Sequence, residues 1–72
     1  MITVIGTYDV HTRLIRNENE LQPDTFETNV STLVGIKESV TVQTYTTEYA
    51  ARAGHKAVVN SIKFITGEDE RY

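Results

Sequence analysis

The chain has no cysteine and no tryptophan, a single proline, four scattered glycines and no apolar run longer than a few residues. Without cysteine there is no disulfide framework and no thiolate metal site. The two histidines, His11 and His55, lie far apart and lack ligand spacing, whereas a structural zinc site takes four nitrogen or sulfur ligands. No metal and no cofactor is expected. Seven basic residues against ten acidic ones give a net charge of −3, so the basic stripe of a general nucleic-acid binder is missing. A membrane-spanning helix needs about 20 apolar residues in a row, and none is present. The start, Met1 to Gly6, has neither a basic n-region nor a long apolar h-region, so no signal peptide is expected there. The expectation is a cytoplasmic protein. There is no glycine-rich phosphate loop, no Gly-x-Ser-x-Gly elbow and no His-Glu zinc motif, so no enzyme is expected.

With 72 residues the chain makes one domain. A domain of this size buries only about 60% of the surface its unfolded chain exposes. Small domains usually add disulfides, a metal or oligomerisation to a thin core. The first two are excluded, which leaves self-association as the expected staple.

Residues 2–16 alternate. Ile2, Val4, Tyr8, Val10 and Leu14 fall on one side, against Thr3, Thr7, Asp9, His11 and Arg13 on the other. This period of two, rich in β-branched residues, predicts one long strand bent at Gly6, or two short strands turning near Tyr8-Asp9. Residues 17–25, with Asn17, Asn19, Pro23 and Asp24, read as a loop. Alternation resumes at 26–34, Gly35 to Ser39 reads as a hairpin connection, and 40–45 as a further strand. There Val40 and Val42 oppose Thr41, Gln43 and Tyr45. A helix of roughly 18 residues follows, capped by Thr46 or Thr47 with Glu48 in its first turn. Its predicted apolar stripe is Ala50, Ala53, Gly54, Ala57, Val58, Ser61, Ile62, Phe64 and Ile65. Gly54 costs about 1 kcal/mol against alanine inside a helix, which points to a close approach by some other group. Gly67 is placed to end the helix in the left-handed conformation.

The fold class is therefore α+β. A three- or four-stranded antiparallel meander is followed by one C-terminal amphipathic helix across one face. Residues 1–67 form the domain and 68–72 an acidic, solvated tail. The sheet face away from the helix is expected to be polar and threonine-rich.

Candidate binding residues are few. Tyr45, Arg52, His55 and Lys56 could gather around an anion, arginine offering a forked donor and tyrosine a stacking face. The plainer reading makes His55 a boundary histidine bonded to the sheet and Tyr45 a core aromatic. Arg13 and His11 share the polar side of the first strand and could join that site, or Arg13 could simply guard a sheet edge. Tyr49 and Val59 interrupt the polar half of the helix and are expected as oligomer contacts.

Two stretches carry a resemblance. One is Phe26-Glu27-Thr28-Asn29-Val30. The other runs from Tyr45 through Glu48, Ala51, Gly54 and His55 to Val59. The chain resembles a group of small bacteriophage proteins with a Phe-Glu-Thr strand and a Glu-x-x-Ala-x-x-Gly-His helix; Asn29 stands where that group carries methionine. The resemblance implies a phage accessory protein in the host cytoplasm, with no established reaction. Small phage proteins of this build include oligomeric sponges for nucleotide immune signals, an analogy of class rather than of sequence. The expected function is a homo-oligomer that binds and sequesters a nucleotide signal in counter-defence. The alternatives are a protein-binding inhibitor of a host enzyme, working through an open sheet edge, and a minor virion component.

Overall fold

The computed structural model describes residues 1–19, 21–32 and 39–71, without the side chains of the last two. Four strands form an antiparallel meander: β1 (Ile2–Ile5), β2 (Tyr8–Ile15), β3 (Thr25–Thr32) and β4 (Ser39–Tyr45). Helix α1 (Glu48–Thr66) packs against the sheet, and a two-residue strand β5 (Glu70–Arg71) follows. Across the sheet the order is β4-β3-β2-β1-β5. The α+β class is as the sequence predicts. No helix among the described residues is long and apolar enough to cross a membrane.

The first alternating stretch is two strands, and the turn sits at Gly6-Thr7 rather than at Tyr8-Asp9. Gly6 adopts φ 56°, a conformation that costs a residue with a Cβ about 1 kcal/mol or more. The turn changes the facing of β1. Because Ile5 pairs with Tyr8 and Thr3 with Val10, Thr3 and Ile5 join Tyr8, Val10 and Thr12 on the helix side. Ile2 and Val4 lie on the opposite face with Asp9 and His11. The helix side thus carries Thr3, which the alternation assigns to the far face.

Between β3 and β4 the register shifts at Thr28/Asn29, where Thr28 opposes Gln43 and Asn29 opposes Thr41. One residue, Val42, is left over, so this is a β-bulge. The bulge explains why Val40 and Tyr45, on opposite sides by simple alternation, oppose the helix-side residues Val30 and Phe26. The predicted connection at Gly35 to Ser39 falls mostly outside the described residues, as do Leu33 and Val34. The C-terminal segment is not wholly a free tail: Glu70 pairs with Ile5 and Arg71 with Val4.

The helix begins where the sequence places it. Thr47 is the N-cap, its hydroxyl accepting from the Ala50 amide, and Gly67 closes the C-terminus at φ 70°, its N–H bonded to the Lys63 carbonyl. Its buried face differs from the predicted stripe. Ala51, His55 and Val59, spaced four apart, face the sheet. Val59 packs with Ile5 and Val10, flanked by Val30, Val58 and Ile62. Phe64 is 91% exposed and Ile65 80%. The helix has apolar residues on two arcs, and the sheet takes the one containing His55. Among the described residues the fully buried apolar set is Ile5, Val10, Ala51 and Val59, a thin core.

Candidate functional site

A chain of polar side chains runs through the helix–sheet interface. The His55 ring is 7% exposed. Its Nε2 lies 2.8 Å from Thr3 Oγ1 and its Nδ1 lies 2.7 Å from Thr12 Oγ1. Thr12 and Thr28 stand directly opposite each other on β2 and β3, with their hydroxyls 2.6 Å apart. Thr28 in turn donates to the Tyr45 hydroxyl at 3.3 Å. The line Thr3–His55–Thr12–Thr28–Tyr45 therefore links α1 to all four meander strands.

Donor counting sets its direction. Each hydroxyl has one proton. Thr28 spends its proton on Tyr45, so Thr12 must donate to Thr28. Thr12 has then no proton for the imidazole, and His55 Nδ1–H donates to Thr12. In a neutral ring Nε2 is the acceptor, and Thr3 donates to it. Buried polar groups this well satisfied fix a unique helix register, because each alternative leaves several of them unpaired.

The Tyr45 ring also explains Gly54. A Cβ built on Gly54 would fall inside the Tyr45 ring and hydroxyl, so the glycine admits the aromatic against the helix backbone.

The far sheet face carries a second polar cluster, exposed rather than buried. The Arg13 guanidinium reaches the Glu27 carboxylate at 3.0 Å across the β2–β3 pair. Asn29 donates to the same carboxylate, and Thr41 donates to Asn29. The Asn29 amide first, and then Arg13, hold the Glu27 carboxyl below its ordinary value. His11, opposite Ile2 and Asn29, lies on this face.

The candidate ligand residues thus separate. His55 and Tyr45 are joined through the buried line, as the plainer sequence reading has it. Arg52 is exposed and pairs with Glu48 at 2.9 Å one helical turn away; Lys56 is exposed beyond it. Arg13 and His11 occupy the opposite side of the sheet, so no one pocket collects the six residues. Of the expected oligomer contacts, Tyr49 is 86% exposed, whereas Val59 at 3% belongs to the core. Among the described residues no group of three or more His, Asp or Glu side chains is placed to hold a metal ion.

A further concavity lies elsewhere. A groove of about 720 Å³ runs between α1 and the β3–β4 half of the sheet, with Val30, Val40, Val42, Val58, Ile62 and Ile65 among its walls. Tyr8, Thr32 and Ser61 add hydroxyls, and among the described residues none that lines it is acidic or basic. Its outer wall is β4, one of the two edge strands of the sheet among the described residues. Val40 is 57% exposed and Val42 45%. Sequence reading missed the groove because it depends on the bulge at Val42 and on the rotation of α1. The only early signal was the pair Val40 and Val42 in a segment without charge. Compared with protein-family models, with curated proteins and with solved structures, the chain matches none.

Proposed function

We propose that the protein is a non-enzymatic binding domain that captures an extended, apolar segment of another protein along β4 and in the adjoining groove. The observation that carries this reading is the conjunction of an uncharged edge strand with an apolar groove beside it. An edge strand offers unpaired backbone N–H and C=O groups, and a peptide added there gains main-chain hydrogen bonds. Alternate side chains of that peptide would enter the groove, whose size is that of an ordinary ligand site. An inhibitor of a host enzyme, in a phage accessory role, would act in this way.

Nucleotide sequestration is less well supported by the same geometry. It needs cationic and aromatic groups to converge, whereas His55 and Tyr45 are engaged in the buried line and Arg52 pairs with Glu48. Among the described residues that line the groove, none would offer an anion a positive side chain.

Amide NMR titration separates the two readings. A valine-rich extended peptide is expected to shift the amides of Ser39–Tyr45 together with Val58, Ile62 and Ile65, and Val42→Lys to abolish those shifts with the fold retained. Shifts at Arg52, His55 and Lys56 on adding cyclic or linear nucleotides, with none from peptides, would overturn the proposal in favour of sequestration.

A further inference from the structure

The hydroxyls around the groove are not equivalent. Ser61 donates to the Ala57 carbonyl at 2.9 Å and Thr66 to the Ile62 carbonyl at 2.7 Å, both within α1. Thr32 is engaged as well. Ser31 belongs by register to the far face, opposite Asp9. Tyr8 differs from all of these. It is half-buried, it lines the groove, and its hydroxyl makes no hydrogen bond with any described residue. It stands at one end, paired with Thr32 one step along the sheet beyond the row Val10–Val30–Val40.

We propose, resting on the reading of the groove as a peptide site, that Tyr8 sets its specificity. The captured strand sends one long, neutral side chain, apolar along its shaft and hydrogen-bonding at its tip, across the groove to the Tyr8 hydroxyl. A tyrosine of the partner meets that description. Three observations define the side chain. The first is distance. The sheet order leaves β4 and β3 between an added strand and β2, which carries Tyr8. Three strand spacings make about 14 Å. A valine or threonine of the partner stops over Val40, whereas a long side chain meets the Tyr8 ring part of the way. The second is the walls. Val40, Val30 and Ile62 line the way to Tyr8, and their side chains give contact but no hydrogen bond, so the shaft is apolar. The third is the end of the path. An occupant that excludes water takes the solvent partners from the Tyr8 hydroxyl, and an apolar tip leaves it unpaired. A charged tip fails for another reason: among the described lining residues none is acidic or basic, and an unpaired charge resists burial. A site built to hydrogen-bond a hydroxyl discriminates against the analogue that lacks it, as an apolar pocket alone does not.

The experiment is NMR titration of the full chain with short valine–threonine peptides in which one tyrosine is placed at each position in turn. At the position that binds tightest, the tyrosine is exchanged for phenylalanine and for lysine. All three peptides are titrated into the wild type and Tyr8→Phe. The wild type is expected to bind the tyrosine peptide about fivefold tighter than the phenylalanine peptide, the worth of one neutral hydrogen bond, and the lysine peptide most weakly. Tyr8→Phe is expected to bind the two aromatic peptides alike. Equal binding of the two by the wild type overturns the proposal, as does a preference for tyrosine that persists in Tyr8→Phe; in both cases shifts along Ser39–Tyr45 still uphold the groove reading. If no peptide shifts those amides, the groove reading fails and the role of Tyr8 falls with it. Should Tyr8→Phe not fold, the wild type decides alone: the tyrosine peptide is expected to move the Tyr8 ring resonances more than the phenylalanine peptide does, and equal shifts overturn the proposal.

Discussion

At the scale of single residues, the line from Thr3 to Tyr45 makes unequal demands on its members. Thr12 sits in the middle, 3% exposed, taking one hydrogen bond from His55 Nδ1 and giving one to Thr28. Thr12→Val keeps the shape and removes both functions, leaving a buried ring N–H without this acceptor; the expected loss is about 2–3 kcal/mol. Tyr45 stands at the end of the line and only accepts, through a bond of 3.3 Å on a half-buried side chain. Tyr45→Phe is expected to cost about 0.5–1 kcal/mol. Urea unfolding of the two variants checks the order. If Tyr45→Phe proves as costly as Thr12→Val, the line does not run in the direction derived from donor counting. His55 itself is the residue least suited to prediction from pattern. On a helical wheel a histidine counts as polar and turns the expected apolar face away from itself, yet a hydroxyl on each side makes it an interior residue here.

At the scale of elements, Gly54 tests the contact between α1 and β4. An exposed helical glycine replaced by alanine gains about 1 kcal/mol. Here the new methyl would enter the Tyr45 ring, and overpacking costs about 1–3 kcal/mol, so Gly54→Ala is expected to destabilise. In a Tyr45→Ala background the ring is gone and the same substitution is expected to stabilise. Thermal melts of the four proteins complete the cycle, and a loss of similar size in both backgrounds would show that the Tyr45 ring is not what the glycine admits. Much of this level is legible in the sequence. Thr47, Glu48 and Gly67 mark the helix ends by local chemistry, and the alternating runs give the strands. Three features are not legible because each depends on a partner distant in sequence. The turn at Gly6-Thr7 flips the facing of Thr3 and Ile5. The bulge at Val42 breaks the alternation of β4. The rotation of α1 is decided by which of its two apolar arcs finds matching groups on the sheet. The candidate site suffered most, since Arg52, Lys56 and His55 are near one another in sequence while only His55 turns inward.

At the scale of the whole molecule, the question is how so little core sustains a fold. Among the described residues the buried apolar side chains are Ile5, Val10, Ala51 and Val59, and a domain of this size is held by only about 3–5 kcal/mol from a single core. The hydrogen-bonded line at the interface gives uniqueness more than net stability, because its groups are also hydrogen-bonded to water when unfolded. The remaining reserve is the surface on the outside of α1. If a second copy covers it, folding and association are linked, and stability must depend on concentration. A hundredfold increase in protein adds about 1.4 kcal/mol per chain by mass action. For a domain this small 1 kcal/mol moves the melting temperature by about 4–8 °C. The wild type is therefore expected to melt roughly 5–10 °C higher at 200 than at 2 micromolar, while Phe64→Glu melts at one temperature throughout and close to the dilute wild type. Scanning calorimetry at the high end and fluorescence of the tyrosines at the low end cover that range. A wild-type transition that does not move with concentration would mean that the thin core and its polar line suffice for a monomer, and that the exposed Phe64 has no part in folding.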